Sequence, residues 1–161
     1  MIKDKIKHFK NIVLFSILIS TNTVAEKIGD LTRQSPITKS VSLKGKIGIN
    51  HYFEPNVLSF NTGKLYKLRI INNSDSKHYF SSSKFSQSIF TRKIQILKNG
   101  EKISEIKGNI TEVEVFPNNI IEWWFVPIKT GKFKDLKCEV KDSTSKESHS
   151  KMGMVGTIII N

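Results

Sequence analysis

The chain has 161 residues, a formal net charge of +12 and 38% hydrophobic residues. This composition is typical of one globular domain and excludes a collagen-like or wholly disordered chain. A single cysteine excludes an intramolecular disulfide, and with it a small fold held together by disulfides.

The N-terminus has the parts of a secretory signal peptide, within residues 1–25. Four lysines precede the short apolar run 12–19, and Thr23-Val24-Ala25 resembles a cleavage site with small residues. The run is far shorter than the roughly 20 residues of a membrane-spanning helix. An uncleaved anchor is the alternative interpretation. We expect an exported, periplasmic protein with no membrane association beyond the signal peptide.

Basic residues outnumber acidic residues in the mature chain. Removal of residues 1–25 takes away four lysines and one aspartate, which leaves 22 basic and 13 acidic residues and a net charge of +9. The basic residues are spread evenly, whereas a nucleic-acid site more often shows a focused stripe. We therefore expect no nucleic-acid binding, an acidic partner, and a monomer.

A single β domain is predicted for 41–161, after a polar linker at 26–40. Runs rich in β-branched and aromatic residues recur between turn signals, of which Asn99-Gly100 is a strong hairpin signal. Residues 81–88 have room for one helical turn. The predicted strands are 41–49, 56–60, 64–72, 90–97, 110–115, 119–126, 132–141 and 155–160.

Alternation within these runs predicts which side chains are buried. Leu68 and Ile70 alternate with charged residues in 64–72, and Trp123 and Trp124 must point in opposite directions on one strand, so that one faces the core. About eight short strands without a long amphipathic helix predict an all-β fold, an antiparallel β-sandwich.

Four side chains of the mature chain are candidate metal ligands. Cys138 lies late in the predicted strand 132–141, and His149 and Met154 lie in the segment before the last strand. His78 follows the turn after 64–72. A thiolate, two imidazoles and a weak thioether are the ligands of a blue-copper electron-transfer site.

Each candidate also has an ordinary structural interpretation. Cys138 alone is more simply a buried core residue, His78 a hydrogen-bonded residue at a strand end, and His149 a solvated loop residue. Met152 and Met154 can both be packing residues at the rim of the core. For His51 a surface position is favoured over a further metal contact.

From about Phe53 to Ile160 the sequence resembles the cupredoxins, the small blue copper proteins. The resemblance runs through Asn72-Asn73 to His78-Tyr79-Phe80, and through Gly131-Lys132-Phe133 to Cys138. Its most specific part is His149-x4-Met154-x-Gly156 before a β-branched final strand.

The resemblance implies a Greek-key β-sandwich with copper at one end. His78 would be the upstream ligand, and Cys138, His149 and Met154 would be the ligands from the C-terminal segment, with Met154 preferred to Met152. His149 would be the ligand nearer solvent and the exit for electrons. Asn73 would orient an imidazole by hydrogen bonding.

Two features depart from the family pattern. Residues 139–148 separate Cys138 from His149, ten residues where family members have only a few, and Tyr79 stands where a small polar residue is common. Lengthening a flexible loop from three to ten residues costs only about 1 kcal/mol of closure entropy, so the insertion is compatible with a site.

The expected function is electron transfer through a mononuclear His₂-Cys-Met copper site, with an acidic redox partner protein or a copper donor as partner. A periplasmic copper carrier or storage protein is one alternative, which an open loop at 139–148 would suit. A metal-free interaction module with the same fold is another. We expect no enzyme, because the sequence lacks the G-x-S-x-G, H-E-x-x-H and phosphate-loop motifs.

Overall fold

The computed structural model describes residues 29–161, so the predicted signal peptide lies outside the described residues. This part of the chain begins with a single 3-10 turn at Leu31–Arg33, and none of its helices is long and apolar enough to cross a membrane. Its remaining elements are β1 (Ile37–Lys46), β2 (Asn50–Glu54), β3 (Val57–Phe60), β4 (Tyr66–Asn72), β5 (His78–Ser81), α1 (Ser83–Ser86), β6 (Ile89–Lys98), β7 (Glu101–Ile106), β8 (Glu112–Val115), β9 (Ile120–Pro127), β10 (Gly131–Lys137) and β11 (Val155–Ile160).

The strands form two sheets, which confirms the predicted all-β sandwich. One sheet has six strands in the order β2-β1-β4-β9-β6-β7, and the other has five in the order β3-β11-β10-β5-β8. The expectation of purely antiparallel pairing is wrong, because β1 pairs with β4 and β3 pairs with β11 in parallel. After β2 the chain crosses to the opposite sheet to form β3, and it then returns to the first sheet as β4, beside β1. Such a crossover connection permits parallel neighbours.

The core lies between the sheets and is rich in aromatic rings. Trp123 is 1% exposed and meets Phe85 edge-on at a ring-centroid distance of 5.8 Å. Phe85 comes from α1, the predicted helical turn, and packs against Phe125 at 5.2 Å. Trp124 is half-buried on the outer face, as the alternation of the two tryptophans predicts.

Three observed strands are absent from the prediction, and one begins early. β2 and β5 are short and mix polar with apolar residues, and β7 is a charged edge strand whose residues are almost all exposed. Charged side chains on an edge strand protect a sheet from aggregation. They also remove the alternation of apolar residues by which a strand is recognised in a sequence. β1 begins at Ile37, inside the predicted linker, because it pairs with Tyr66 at the start of β4.

A glycine in β11 allows close contact between strands next to the candidate ligands. A Cβ atom on Gly156 would lie 2.8 Å from the Asn56 carbonyl oxygen and 2.8 Å from Leu136 Cδ2. We expect Gly156→Ala to lower the free energy of unfolding by about 1–3 kcal/mol, as overpacking does. Gly29→Ala, where no atom of another described residue lies within 4 Å, is the control in urea denaturation. Equal midpoints for the two variants would contradict this packing argument.

Candidate metal centre

Three neighbouring strands bring the candidate ligands to one end of the sandwich. β10 lies between β11 and β5 and runs antiparallel to both. Lys137, the last residue of β10, pairs with Val155 at the start of β11 and with Ser81 at the end of β5, so the residues after β10 run back along β5 toward its start. Cys138 follows the last residue of β10, His78 is the first residue of β5, and Met154 immediately precedes β11. The strand order therefore brings Cys138, His78 and Met154 to the same end of the sheet.

Two imidazoles and the thiol form a compact, fully buried triangle. His78 Nδ1 lies 3.0 Å from His149 Nδ1, and Cys138 Sγ lies 3.6 Å from His149 Nδ1 and 3.9 Å from His78 Nδ1. All three residues are completely buried. A point in the plane of these atoms is roughly 2 Å from each of them, close to the metal–nitrogen and metal–sulfur distances of zinc sites. The triangle thus has the dimensions of a three-coordinate metal site.

Met154 lies on the inner side of the same segment. It is completely buried, its amide donates to the His149 carbonyl at 2.8 Å, and its carbonyl accepts from the Cys138 amide at 3.2 Å. Met152 is only half-buried, and its sulfur accepts a hydrogen bond from Ser145 Oγ at 3.4 Å. The backbone therefore holds Met154 against both Cys138 and His149.

A buried hydrogen-bond network orients His78. The Ser74 hydroxyl donates to Asn72 Oδ1 at 2.8 Å, so its oxygen is free to accept from His78 Nε2–H at 2.7 Å. This arrangement leaves the lone pair of His78 Nδ1 directed at the triangle. The expected role of Asn73 is wrong, because Asn73 is exposed and contacts Ser42 Oγ instead.

Burial controls the protonation of the three triangle residues. Desolvation, followed by the charge of His149, lowers the pKa of His78 to about 3. Desolvation also lowers the pKa of His149 to about 4. Both imidazoles are therefore neutral near pH 7 and have lone pairs available for a metal. Burial raises the pKa of the Cys138 thiol, while the Tyr79 amide, which donates to Sγ at 3.2 Å, favours the thiolate.

A third imidazole, that of His51, belongs to the same cluster. The favoured surface position is wrong: His51 is completely buried, and its ligand atom lies within 4.8 Å of those of His78 and His149. The sequence His51-Tyr52-Phe53 could have predicted this burial, because residues two apart on a strand face the same side. Phe53 is buried in the core, and Tyr52 between them is 38% exposed. His51 faces inward with Phe53.

His149 differs in one respect from its expected position. Its imidazole is fully buried, and the His51 ring is stacked on it at a centroid distance of 3.7 Å. The alternative interpretation of His149 as a solvated loop residue is therefore wrong, and neither imidazole of the triangle is exposed to solvent. The cause is the segment 139–148, whose Asp142 is buried and contacts His51 Nε2 at 3.1 Å. The polar composition of 139–148 predicts only a long loop and gives no sign that Asp142 is buried.

The Ser74 hydroxyl is the most direct test of ligand orientation by hydrogen bonding. We expect Ser74→Ala to weaken metal affinity about 10- to 100-fold, because His78 Nε2 loses the acceptor that fixes its tautomer. Ser76→Ala is the control, since the Ser76 hydroxyl is exposed and makes only a 3.4 Å contact with the Lys77 carbonyl. Competition titration with a chelator measures both variants. Unchanged affinity in Ser74→Ala would show that the network does not orient His78.

Comparison with known proteins gives a result for the fold. No protein-family model and no curated protein matches the sequence. A multi-copper oxidase from Pediococcus acidilactici is similar over 94% of this chain and 30% of its own, with a TM-score of 0.55 and 15% identity. A copper nitrite reductase from Nitrosomonas europaea is similar over 81% of this chain and 51% of its own, with a TM-score of 0.53 and 7% identity. A multicopper oxidase from Campylobacter jejuni is similar over 79% of this chain and 30% of its own, with a TM-score of 0.50 and 15% identity.

The fold is cupredoxin-like. The cupredoxin-like chain spans about a third to a half of the length of these three proteins. The prediction that the chain is not an enzyme is wrong. The structurally similar proteins above are named as oxidases and a reductase, so this fold does not argue against an enzyme. The absence of hydrolase and metalloprotease motifs does not bear on such oxidoreductases.

Proposed function

We propose that the protein is an exported electron-transfer protein that binds one copper ion through His78, Cys138 and His149, with Met154 as axial ligand. The observation that carries this proposal is the buried triangle of two Nδ1 atoms and one Sγ atom, with edges of 3.0, 3.6 and 3.9 Å. Two imidazoles and a thiolate with a weak thioether are the blue-copper ligand set. The copper-protein names of the structural neighbours are consistent with it.

The protein's own residues would hold the ligand geometry constant while the ion changes oxidation state. When bound, copper supplies a one-electron couple between Cu(I) and Cu(II). Ser74 holds the His78 ring, and the Tyr79 amide holds the Cys138 sulfur. Ligands fixed between two packed sheets need little rearrangement between the two states. The net charge of +9 in the mature chain favours docking of an acidic redox partner, at a rate that falls with salt.

Titration of the purified protein with Cu(II) tests this function. We expect one equivalent to produce an intense visible thiolate-to-copper band that a reductant bleaches and reoxidation restores. Tight Cu(I) binding without the band would instead support a copper carrier or storage protein. Absence of any metal uptake would support a metal-free interaction module. Either of these results would overturn the proposal.

The axial position gives a separate prediction for the two methionines. We expect Met154→Leu to keep the visible band and to shift the reduction potential, because the axial ligand tunes a blue-copper couple. Met152→Leu is the matched control, since the half-buried Met152 thioether contacts Ser145, and we expect no shift. Voltammetry of both loaded variants measures this, and a shift in the Met152 variant alone would reverse the assignment.

A further inference from the structure

The segment between Cys138 and His149 is an ordered hairpin. The His149 amide donates to the Val140 carbonyl at 2.8 Å, and the Ser150 amide donates to the Cys138 carbonyl at 2.8 Å. Lys141 and Ser148 form an antiparallel bridge further along. The two ends of the segment therefore run side by side. Its ten residues leave the two expected ligands adjacent and do not form the open loop that an exchangeable site would suit.

Asp142, in this hairpin, is a fixed buried anion. It is 1% exposed, and its carboxylate accepts hydrogen bonds from the amides of Gly48 at 2.9 Å, Thr144 at 2.9 Å and Ser145 at 2.7 Å. The Gly48 amide, followed by the Ser145 amide, holds the pKa of Asp142 well below its usual range. A carboxylate held by three backbone amides has little freedom to move, so it can position a further side chain.

That side chain is His51, which lies on β2 in the other sheet. Its Nε2–H donates to Asp142 Oδ2 at 3.1 Å. Its ring stacks on that of His149 with a centroid distance of 3.7 Å and an angle of 29° between the planes. A metal binds in the plane of an imidazole, and two rings stacked in this way cannot both direct a lone pair at one nearby ion. His51 therefore contacts the face of His149 and does not complete the same coordination triangle.

His149 has few other restraints on its ring. Its Nδ1 faces His78 and Cys138, and its Nε2 is buried without a hydrogen-bond partner among residues 29–161. His78, in contrast, is held through its Nε2 by Ser74. A bound metal would replace the 3.0 Å contact between the Nδ1 atoms of His149 and His78. No hydrogen bond on Nε2 would then hold the ring plane of His149, so packing sets that plane, and the stacked His51 ring covers it.

We propose that Asp142 and His51 form a clamp that positions the imidazole of His149 for metal binding. The insertion at 139–148 supplies the carboxylate, the carboxylate fixes the His51 ring, and that ring fixes the plane in which His149 Nδ1 meets the metal. His51 and Asp142 are positioning residues, not ligands. The inference rests on the proposed function only in naming His149 as a ligand, since the clamp is a property of the metal-free protein.

Three variants and a control separate positioning from simple structural support. His51→Ala removes the stacked ring, His51→Phe keeps a ring without the bond to Asp142, and Asp142→Asn keeps an acceptor without the charge. Glu147→Gln is the control, because Glu147 is exposed in the same hairpin and its one ion pair within 29–161 is with the exposed Lys151. Two measurements apply to each: imidazole NMR of the metal-free protein, and affinity for Zn(II) and Cu(I) by chelator competition.

We expect His51→Ala to abolish the ring-current shift of the His149 imidazole protons and to weaken metal affinity about 10- to 100-fold, the usual effect of removing a group that orients a ligand. His51→Phe should restore most of the ring-current shift and part of the affinity, and Asp142→Asn should weaken affinity less than His51→Ala. Glu147→Gln should change neither quantity. Thermal unfolding of each metal-free variant confirms that it is folded.

The clamp is overturned if folded His51→Ala retains the His149 shifts and binds metal within twofold of the unaltered protein. It is also overturned if His51→Phe, with its fold intact, restores neither the ring-current shift of His149 nor the metal affinity. Failure of the proposed function gives a different result. A protein that produces no visible band with Cu(II), yet loses the His149 shifts and Zn(II) affinity in His51→Ala, retains the clamp and lacks blue-copper function.

Discussion

Substitution of Cys138 by serine is expected to abolish the visible thiolate-to-copper band and to lower Cu(I) affinity by more than about 100-fold. A serine hydroxyl does not ionise near neutral pH, and it is a hard ligand where copper(I) prefers a soft one. Removing groups that merely orient a ligand already costs about 10- to 100-fold in affinity. Absorption spectroscopy and chelator competition measure the two effects.

Cys138→Ser is a nearly isosteric change, so the fold should remain. Its hydroxyl oxygen can still accept from the Tyr79 amide, which donates to the sulfur at 3.2 Å in the unaltered protein. Glu139→Gln is the matched control, because Glu139 is the next residue and its side chain is 53% exposed. A band that persists in Cys138→Ser, or is lost equally in Glu139→Gln, would contradict a role for the thiol as ligand.

The largest effect on stability is expected at Trp123. Its ring lies against Phe80, Phe85 and Phe125 at centroid distances of 6.4, 5.8 and 6.3 Å, and its Nε1 donates to Thr91 Oγ1 at 3.1 Å. Trp123→Ala leaves a large cavity and should lower the free energy of unfolding by about 3–5 kcal/mol. This is a large part of the roughly 5–15 kcal/mol that stabilises a typical domain.

Trp124 is a matched control one residue away. It lies half-buried on the outer face, where Lys93 Nζ is 4.7 Å from its ring centroid. We expect Trp124→Ala to cost about 1 kcal/mol or less, as substitutions outside the core usually do. Urea denaturation of the metal-free proteins gives both values. Similar losses for the two variants would contradict the assignment of Trp123 to the core and Trp124 to the surface.

Local patterns in the sequence predicted much of the fold. Alternation identified the core face of β4, and Asn99-Gly100 predicted the turn after β6, in which both residues have the positive φ angles that this turn requires. Alternation does not specify which strands pair. The parallel pairing of β1 with β4 depends on a crossover between sheets, and the charged strand β7 has no apolar alternation for a pattern to detect.

Only those residues of the candidate site that have a distinctive type or spacing could be predicted from the sequence. A lone thiol and the spacing of His149 and Met154 single out three residues, and the strand order brings Cys138 and His78 together. His51 and Asp142 are ordinary residues in sequence. Their contact across 91 positions arises from the packing of a hairpin from one sheet on an edge strand of the other, which no local pattern contains.

X-ray absorption spectroscopy at the copper edge tests the central claim most directly. For the protein loaded with one equivalent of copper, we expect two nitrogen scatterers at about 2.0 Å and one sulfur scatterer near 2.3 Å, values close to those of nitrogen and sulfur ligands on zinc. The sulfur shell should disappear in Cys138→Ser. A first shell of only nitrogen and oxygen in the unaltered protein would contradict the account.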